Sequence, residues 1–226
     1  MADPTRIDMA RELIRHADTH RKTMTTFVPQ YELVPDGVFH RLVIHPPMAT
    51  PVNPSGLDFN LEARHLIDDL RSALEFCAYD AHERFCQPSG APAPAYYRNV
   101  NFPVVRKDQG PADFDRVLDK EELGDLRTRR PDAVDVIRRA QHFLSPQGDW
   151  LPKLQELWNE AKHRSLVYYS RGQPFIEVQG ASGGGPVYKF VGGLTFAKTG
   201  DNVEKFLDVT GGEVSQVVED LGRALY

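Results

Sequence analysis

"LDFNLEARHLIDDLRSALEFCAYDAHERFC", residues 57–86, decides the fold. Phe59, Ala63, Leu66, Ile67, Leu70, Ala73, Leu74, Cys77 and Ala81 recur at spacings of three and four. That period lays apolar side chains along one face of an α-helix. Neither proline nor glycine interrupts the run, so it is predicted to be the central helix of the molecule. Arg64, Arg71, Glu75 and His82 fall along one edge of its apolar stripe, and Asp69, Phe76 and Asp80 along the other. Arg71 and Glu75 stand one turn apart, the spacing of a helical ion pair.

Working outward, residues 4–26 read as a second amphipathic helix, with Ile7, Ala10, Leu13, Ile14 and Ala17 on one face and Pro4 and Thr5 at its start. "YELVPDGVFHRLVIHPP" (31–47) places two β-rich runs around Pro35-Asp36-Gly37, which predicts a hairpin over 31–45. Residues 87–112 are rich in Pro, Gly and Ala and read as a long loop interrupted by the extended stretch "NVNFPVV". A short helix is expected near 113–126. Another begins at Pro131, where a missing N–H costs nothing, and a third spans 150–165 with Leu154, Trp158 and Ala161 at the centre of its stripe. "LVYY", "PFIEV", "VYKFVGGLTF" and "KFLDV" read as strands of a meander over 166–209, with "GASGGG" as a hairpin loop. Residues 211–225 form an amphipathic helix through Val214, Val217, Val218, Leu221 and Leu225. This order predicts an α+β fold. A helical bundle, with its core at about 57–165, carries a β-hairpin and a small antiparallel β-meander in one domain over 1–226.

Composition excludes several classes. A chain of 226 residues, 41% hydrophobic and 26% charged, can bury a core without staples. Its net charge of -5 argues against nonspecific coating of nucleic acid, so such binding would need a local basic patch. "RTRRPDAVDVIRR" (127–139) is the candidate, either a phosphate-facing patch or a solvated helix face. Two cysteines make no disulfide framework, and Cys77 on the apolar stripe reads as core rather than nucleophile. No H-E-x-x-H and no C-x-x-C occurs, so no metal is expected, and His65 with Asp69 reads as a solvated pair. "GASGGGP" lacks the Gly-Lys-Ser/Thr of a phosphate loop, and no cofactor is expected. No apolar run is long enough for a signal peptide or a bilayer span, which predicts a soluble cytoplasmic protein with no membrane partner.

The polar cluster that invites a site is "LWNEAKHRSL" (157–166). On a helix, Lys162 and Arg164 flank the apolar stripe while Asn159 and His163 project away from it. Cations in a last turn complement the negative end of the helix dipole. The same groups make a site if a second element meets them. The central helix offers one, because Glu75 or Asp69 can reach Lys162 or Arg164 if the two helices pack together.

"ARHLIDDLRSALEFCAYDA" (63–81) and "LWNEAKHRSL" together resemble the two marks of a family of uncharacterised bacterial and phage proteins. Its marks are an Asn/Asp-Leu-Arg-x-Ala-Leu-Asp/Glu helix and an Asn-x-x-Lys-His-Arg helix end, with a Phe-Pro element between them. Leu70, Arg71, Ala73, Leu74 and Glu75 match the first mark, Phe102-Pro103 the linking element, and Asn159, Lys162, His163 and Arg164 the second. Phe76 stands where that family has His, so no acid–base role is implied there. No activity comes with this resemblance. The helical layout also resembles, distantly, the HEPN class of helical domains. That resemblance implies a metal-independent RNase using an Arg followed by a His, matched here by Arg15 with His20 and by Arg11 with His16. Arg would stabilise the charge on phosphorus and His would move a proton.

Three expectations follow. The first is a non-enzymatic intracellular binding module for a protein, nucleotide or RNA, using Arg71, Glu75, Asn159, Lys162, His163 and Arg164. The second is the RNase, using Arg15 and His20. The third is a structural homo-oligomer, such as a homodimer, whose polar pairs only hold helices together.

Overall fold

The computed structural model describes the backbone of residues 5–26, 30–36, 39–45, 57–86, 100–163, 168–170, 175–179, 187–191, 194–196 and 203–226, and the side chains of 5–24, 61–86, 100–162, 203 and 205–226. Seven helices carry the described core: α1 (Arg6–Thr26), α2 (Leu57–Phe85), α3 (Phe114–Lys120), α4 (Leu126–Arg129), α5 (Pro131–Arg139), α6 (Trp150–His163) and α7 (Val203–Leu225).

The central stripe behaves as its period dictates. Ala63, Leu66, Ile67, Leu70, Ala73, Leu74, Cys77 and Ala81 are all buried, while the Phe59 side chain lies outside the described residues. Helix α1 starts on a reciprocal cap, in which the Thr5 backbone N–H donates to Asp8 Oδ2 (3.0 Å) and the Asp8 N–H donates to Thr5 Oγ1 (3.1 Å). Helices α1, α6 and α7 all pack on α2, and α7 also touches α1, α5 and α6. The α1–α7 seam is tight. A Cβ on Gly222 would stand 3.3 Å from both Ile7 Cγ2 and Arg11 Nη2, so glycine permits the approach. Arg11 then forks onto Glu219 through Nε (2.8 Å) and Nη2 (2.9 Å).

From residue 100 to 110 the stretch read as a long loop carries no helix or strand, yet it is built into the core. Val100, Phe102 and Val105 are buried, and side chains of α2 and of Gln141, just past α5, hold the backbone of this segment. Glu75 Oε2 accepts from the Phe102 N–H (2.9 Å) and Arg71 Nη2 donates to the Phe102 carbonyl (3.2 Å). Gln141, fully buried after α5, accepts from the Val105 N–H (2.9 Å) and donates to the Pro103 (3.0 Å) and Ile137 (2.9 Å) carbonyls. Buried backbone must find partners, and here side chains replace a neighbouring strand. Residues 87–99 of the predicted loop lie outside the described residues.

The structure overturns the α+β expectation. Where side chains are described, 77% of residues are helical, and no strand, sheet or barrel occurs. Backbone pairing elsewhere joins six short segments: β1 (Gln30–Asp36), β2 (Phe39–His45), β3 (Tyr168–Ser170), β4 (Phe175–Gln179), β5 (Val187–Val191) and β6 (Leu194–Phe196). They form three separate two-stranded ladders, β1 with β2, β3 with β6 and β4 with β5, and among the described residues none gains a third strand. Runs rich in Tyr, Phe and Val favour extended backbone. A two-stranded ladder alone, however, buries too little to organise a core. The described core is helix on helix, with the 100–105 segment laid across it. "KFLDV" is helical too. Helix α7 begins at Val203, eight residues before the expected start at 211, and runs straight through Gly211 and Gly212.

Candidate functional site

The structure brings three of the six expected binding residues together. Arg71 is only 2% exposed and forms an ion pair with Glu75 through Nη2. Above the pair lies Trp158 of α6, its ring centroid 5.4 Å from Arg71 Cζ and 3.3 Å from Lys162 Nζ. The indole N–H donates to Asp68 Oδ1 (2.9 Å), so Asp68, rather than Asp69, joins α2 to α6. Asn159 takes no part. It is exposed and accepts from Gln155 Nε2 (3.1 Å). The His163 side chain and the whole of Arg164 lie outside the described residues.

Electrostatics shows why this seam is costly. Burial pushes the Glu75 carboxyl above its usual range, against the pull of Arg71, the Phe102 N–H and, more weakly, Lys162. Burial likewise pulls the Arg71 guanidinium down, opposed by Glu75 and Glu121. Arg71 Nη2 and Glu75 Oε2 are spent on Phe102's own backbone, while Arg71 Nε and Nη1 and Glu75 Oε1 are buried without a hydrogen-bond partner among the described residues.

Arg15 and His20 of the RNase reading have separate partners within the chain. Five positions put Arg15 and His20 about 140° apart around α1. Arg15 is exposed and pairs with Glu12, which also bonds His16 Nε2 (3.0 Å). His20 turns to α2, with Nδ1 2.6 Å from Glu62 Oε2, Nε2 3.7 Å from Asp69 Oδ2, and the His65 ring 5.2 Å away. Burial raises the Asp69 carboxyl despite the nearby His20 and His16. Glu62 was not foreseen, although its spacing to His65 was a readable signal. Among the described residues no group of three His, Cys, Asp or Glu is arranged to hold a metal ion.

Three of the five arginines in the arginine-rich stretch are paired, two of them with aspartates of α3. Arg127 pairs with Asp119 and lies 3.8 Å from Asp115, Arg138 lies 3.5 Å from Asp115, and Arg130 lies 2.9 Å from Asp132. The thiols are poor nucleophiles. Burial pushes Cys77 far up and Cys86 up to about 11.

Among the described residues a concave feature lies elsewhere, between α1, α2 and α7. Ile14 and Ala17 of α1, Leu66 and Leu70 of α2 and Leu207 of α7 form the apolar floor of a cleft of about 320 Å³. Gly211 and Gly212 form its lip, and a Cβ on either would meet nothing within 4 Å. Three charges edge the mouth: Asp18, Arg21 and Asp208. Arg21 spans it, with Nη2 2.8 Å from Asp18 and Nη1 3.2 Å from Asp208. Lys22 adds a contact to Asp18 at 2.6 Å, and these two cations hold that carboxyl below its usual range. Reading residues 205–209 as a strand hid this cleft. Its signal was present, since Val203, Phe206, Leu207 and Thr210 continue the period of Val214, Val217 and Val218. Such an arrangement removes hydrocarbon from water on its floor and orients a polar group at its rim. Among the described residues no helix is long and apolar enough to cross a membrane. No family model, no curated protein and no solved structure matches this chain.

Proposed function

We propose that the chain is a non-enzymatic binding module that takes a small, mostly apolar ligand in the cleft between α1, α2 and α7. The observation that carries this reading is the cleft itself, of small-molecule size, floored by five apolar side chains and edged by three charges. The glycine pair supports it. Glycine inside a helix costs about 1 kcal/mol relative to alanine. Among the described residues nothing crowds the missing Cβ atoms, so their packing does not require glycine there. The α2–α6 seam is the weaker candidate, because Arg71 and Glu75 hold Phe102.

The test uses a neutral fluorescent probe, N-phenyl-1-naphthylamine, with the Gly212→Leu variant. The leucine would add its bulk at a position that lines the cleft and where a Cβ meets nothing within 4 Å. The probe is expected to brighten with the native chain and to lose that signal in Gly212→Leu, while the melting temperature holds or rises. Equal probe binding by a folded Gly212→Leu protein would refute the cleft as the site.

A further inference from the structure

We infer that the ligand is an apolar monocarboxylate, with its hydrocarbon on the cleft floor and its carboxylate on Arg21. This inference rests on the cleft reading above and adds the chemical class. Two carboxylates hold Arg21, and they are unequal. Asp18 lies one turn away on the same helix, bonds Arg21 at 2.8 Å and is also held by Lys22. Asp208 comes from α7, reaches only Nη1 at 3.2 Å, and its side chain is 72% exposed. A solvated ion pair of that kind contributes little and opens easily. Asp208 therefore occupies, at the mouth of an apolar cleft, the position that a ligand carboxylate would take on the guanidinium.

The charges around the mouth select among head groups. Asp18 and Asp208 against Arg21 and Lys22 balance to zero. A monoanion that displaces Asp208 keeps Arg21 paired and frees Asp208 to swing into water. A cationic head group would have to compete with Arg21 for both aspartates. A dianion would add a second negative charge beside Asp18, which is already paired. An alcohol would leave the ions as they are and gain no charge-assisted bond. The floor side chains Ile14, Leu66, Leu70 and Leu207 offer no polar partner, so the remainder of the ligand is hydrocarbon.

The experiment is calorimetric titration of the full chain with decanoate, decan-1-ol and decylamine, repeated on Arg21→Gln and Asp208→Asn. Decanoate is expected to bind best. Arg21→Gln should weaken decanoate by about tenfold, the value of one charge-assisted bond, and abolish its preference over decanol. Asp208→Asn should tighten decanoate about threefold, because a competitor for Arg21 is removed, and a misfolded variant would not give that gain. Equal affinities for the three probes, or no effect of either variant on decanoate, would overturn the carboxylate class. The cleft would still stand if the neutral naphthylamine probe and its Gly212→Leu block behaved as expected. Failure of that block would instead remove the site.

Discussion

At the scale of the residue, the Arg71–Glu75 pair is a backbone clip, and its energetics can be separated from binding. Truncating one member of a buried pair leaves the other charged and unpaired. Arg71→Met should therefore destabilise the chain by about 3–5 kcal/mol. The double variant Arg71→Met/Glu75→Gln removes both charges and keeps an acceptor for the Phe102 N–H. It is expected to unfold at higher urea than Arg71→Met alone. The folded chain holds Glu75 above its ordinary value of 4.5, so it binds that proton more tightly than the unfolded chain does. Glu75 consequently adds stability as the pH falls toward 4.5, an increment that Glu75→Gln should lack in a pH series of urea titrations. Sequence spacing revealed this pair, because one helical turn separates its members. It did not reveal their partner, because Phe102 lies 31 residues from Arg71 and 27 from Glu75. Local periodicity carries no information about which distant backbone a side chain will meet.

At the scale of the element, helix α7 carries the decisive feature. Its interior glycines weaken it, and substitution there is sterically free. Gly211→Ala and Gly212→Ala should each raise stability by about 0.5–1 kcal/mol in chemical denaturation. A fall in stability at either position would show that the backbone there needs glycine after all. The helices were largely legible, and α2 above all, because every described stripe residue from Ala63 to Ala81 is buried as its period requires. The start of α7 was not legible. "KFLDV" mixes Phe, Leu and Val closely enough to imitate a strand, and the glycines at 211 and 212 imitate a helix boundary. Packing settles the matter, since Val203, Phe206 and Leu207 are buried in the common core. Strand propensity at Tyr168-Tyr169 and in "VYKFV" was real at the level of backbone pairing, but among the described residues it made only two-stranded ladders.

At the scale of the whole molecule, the cleft exists only because the first and last helices meet on the middle of α2. Its residues come from positions 14–21, 66–70 and 207–212, so no single window of sequence contains it. Asn159, Lys162 and His163 lie toward the end of α6, where charge is conspicuous in sequence. The cleft is built mainly from aliphatic side chains and glycine, which are common in any core and mark no site until the helices are assembled. The most direct measurement is therefore amide chemical-shift mapping of the ¹⁵N-labelled chain during titration with N-phenyl-1-naphthylamine. The account predicts shifts concentrated at Ala17, Asp18, Arg21, Leu66, Leu70, Gly211 and Gly212. Shifts centred on Phe102, Trp158 and Lys162, or no shifts at all, would contradict it.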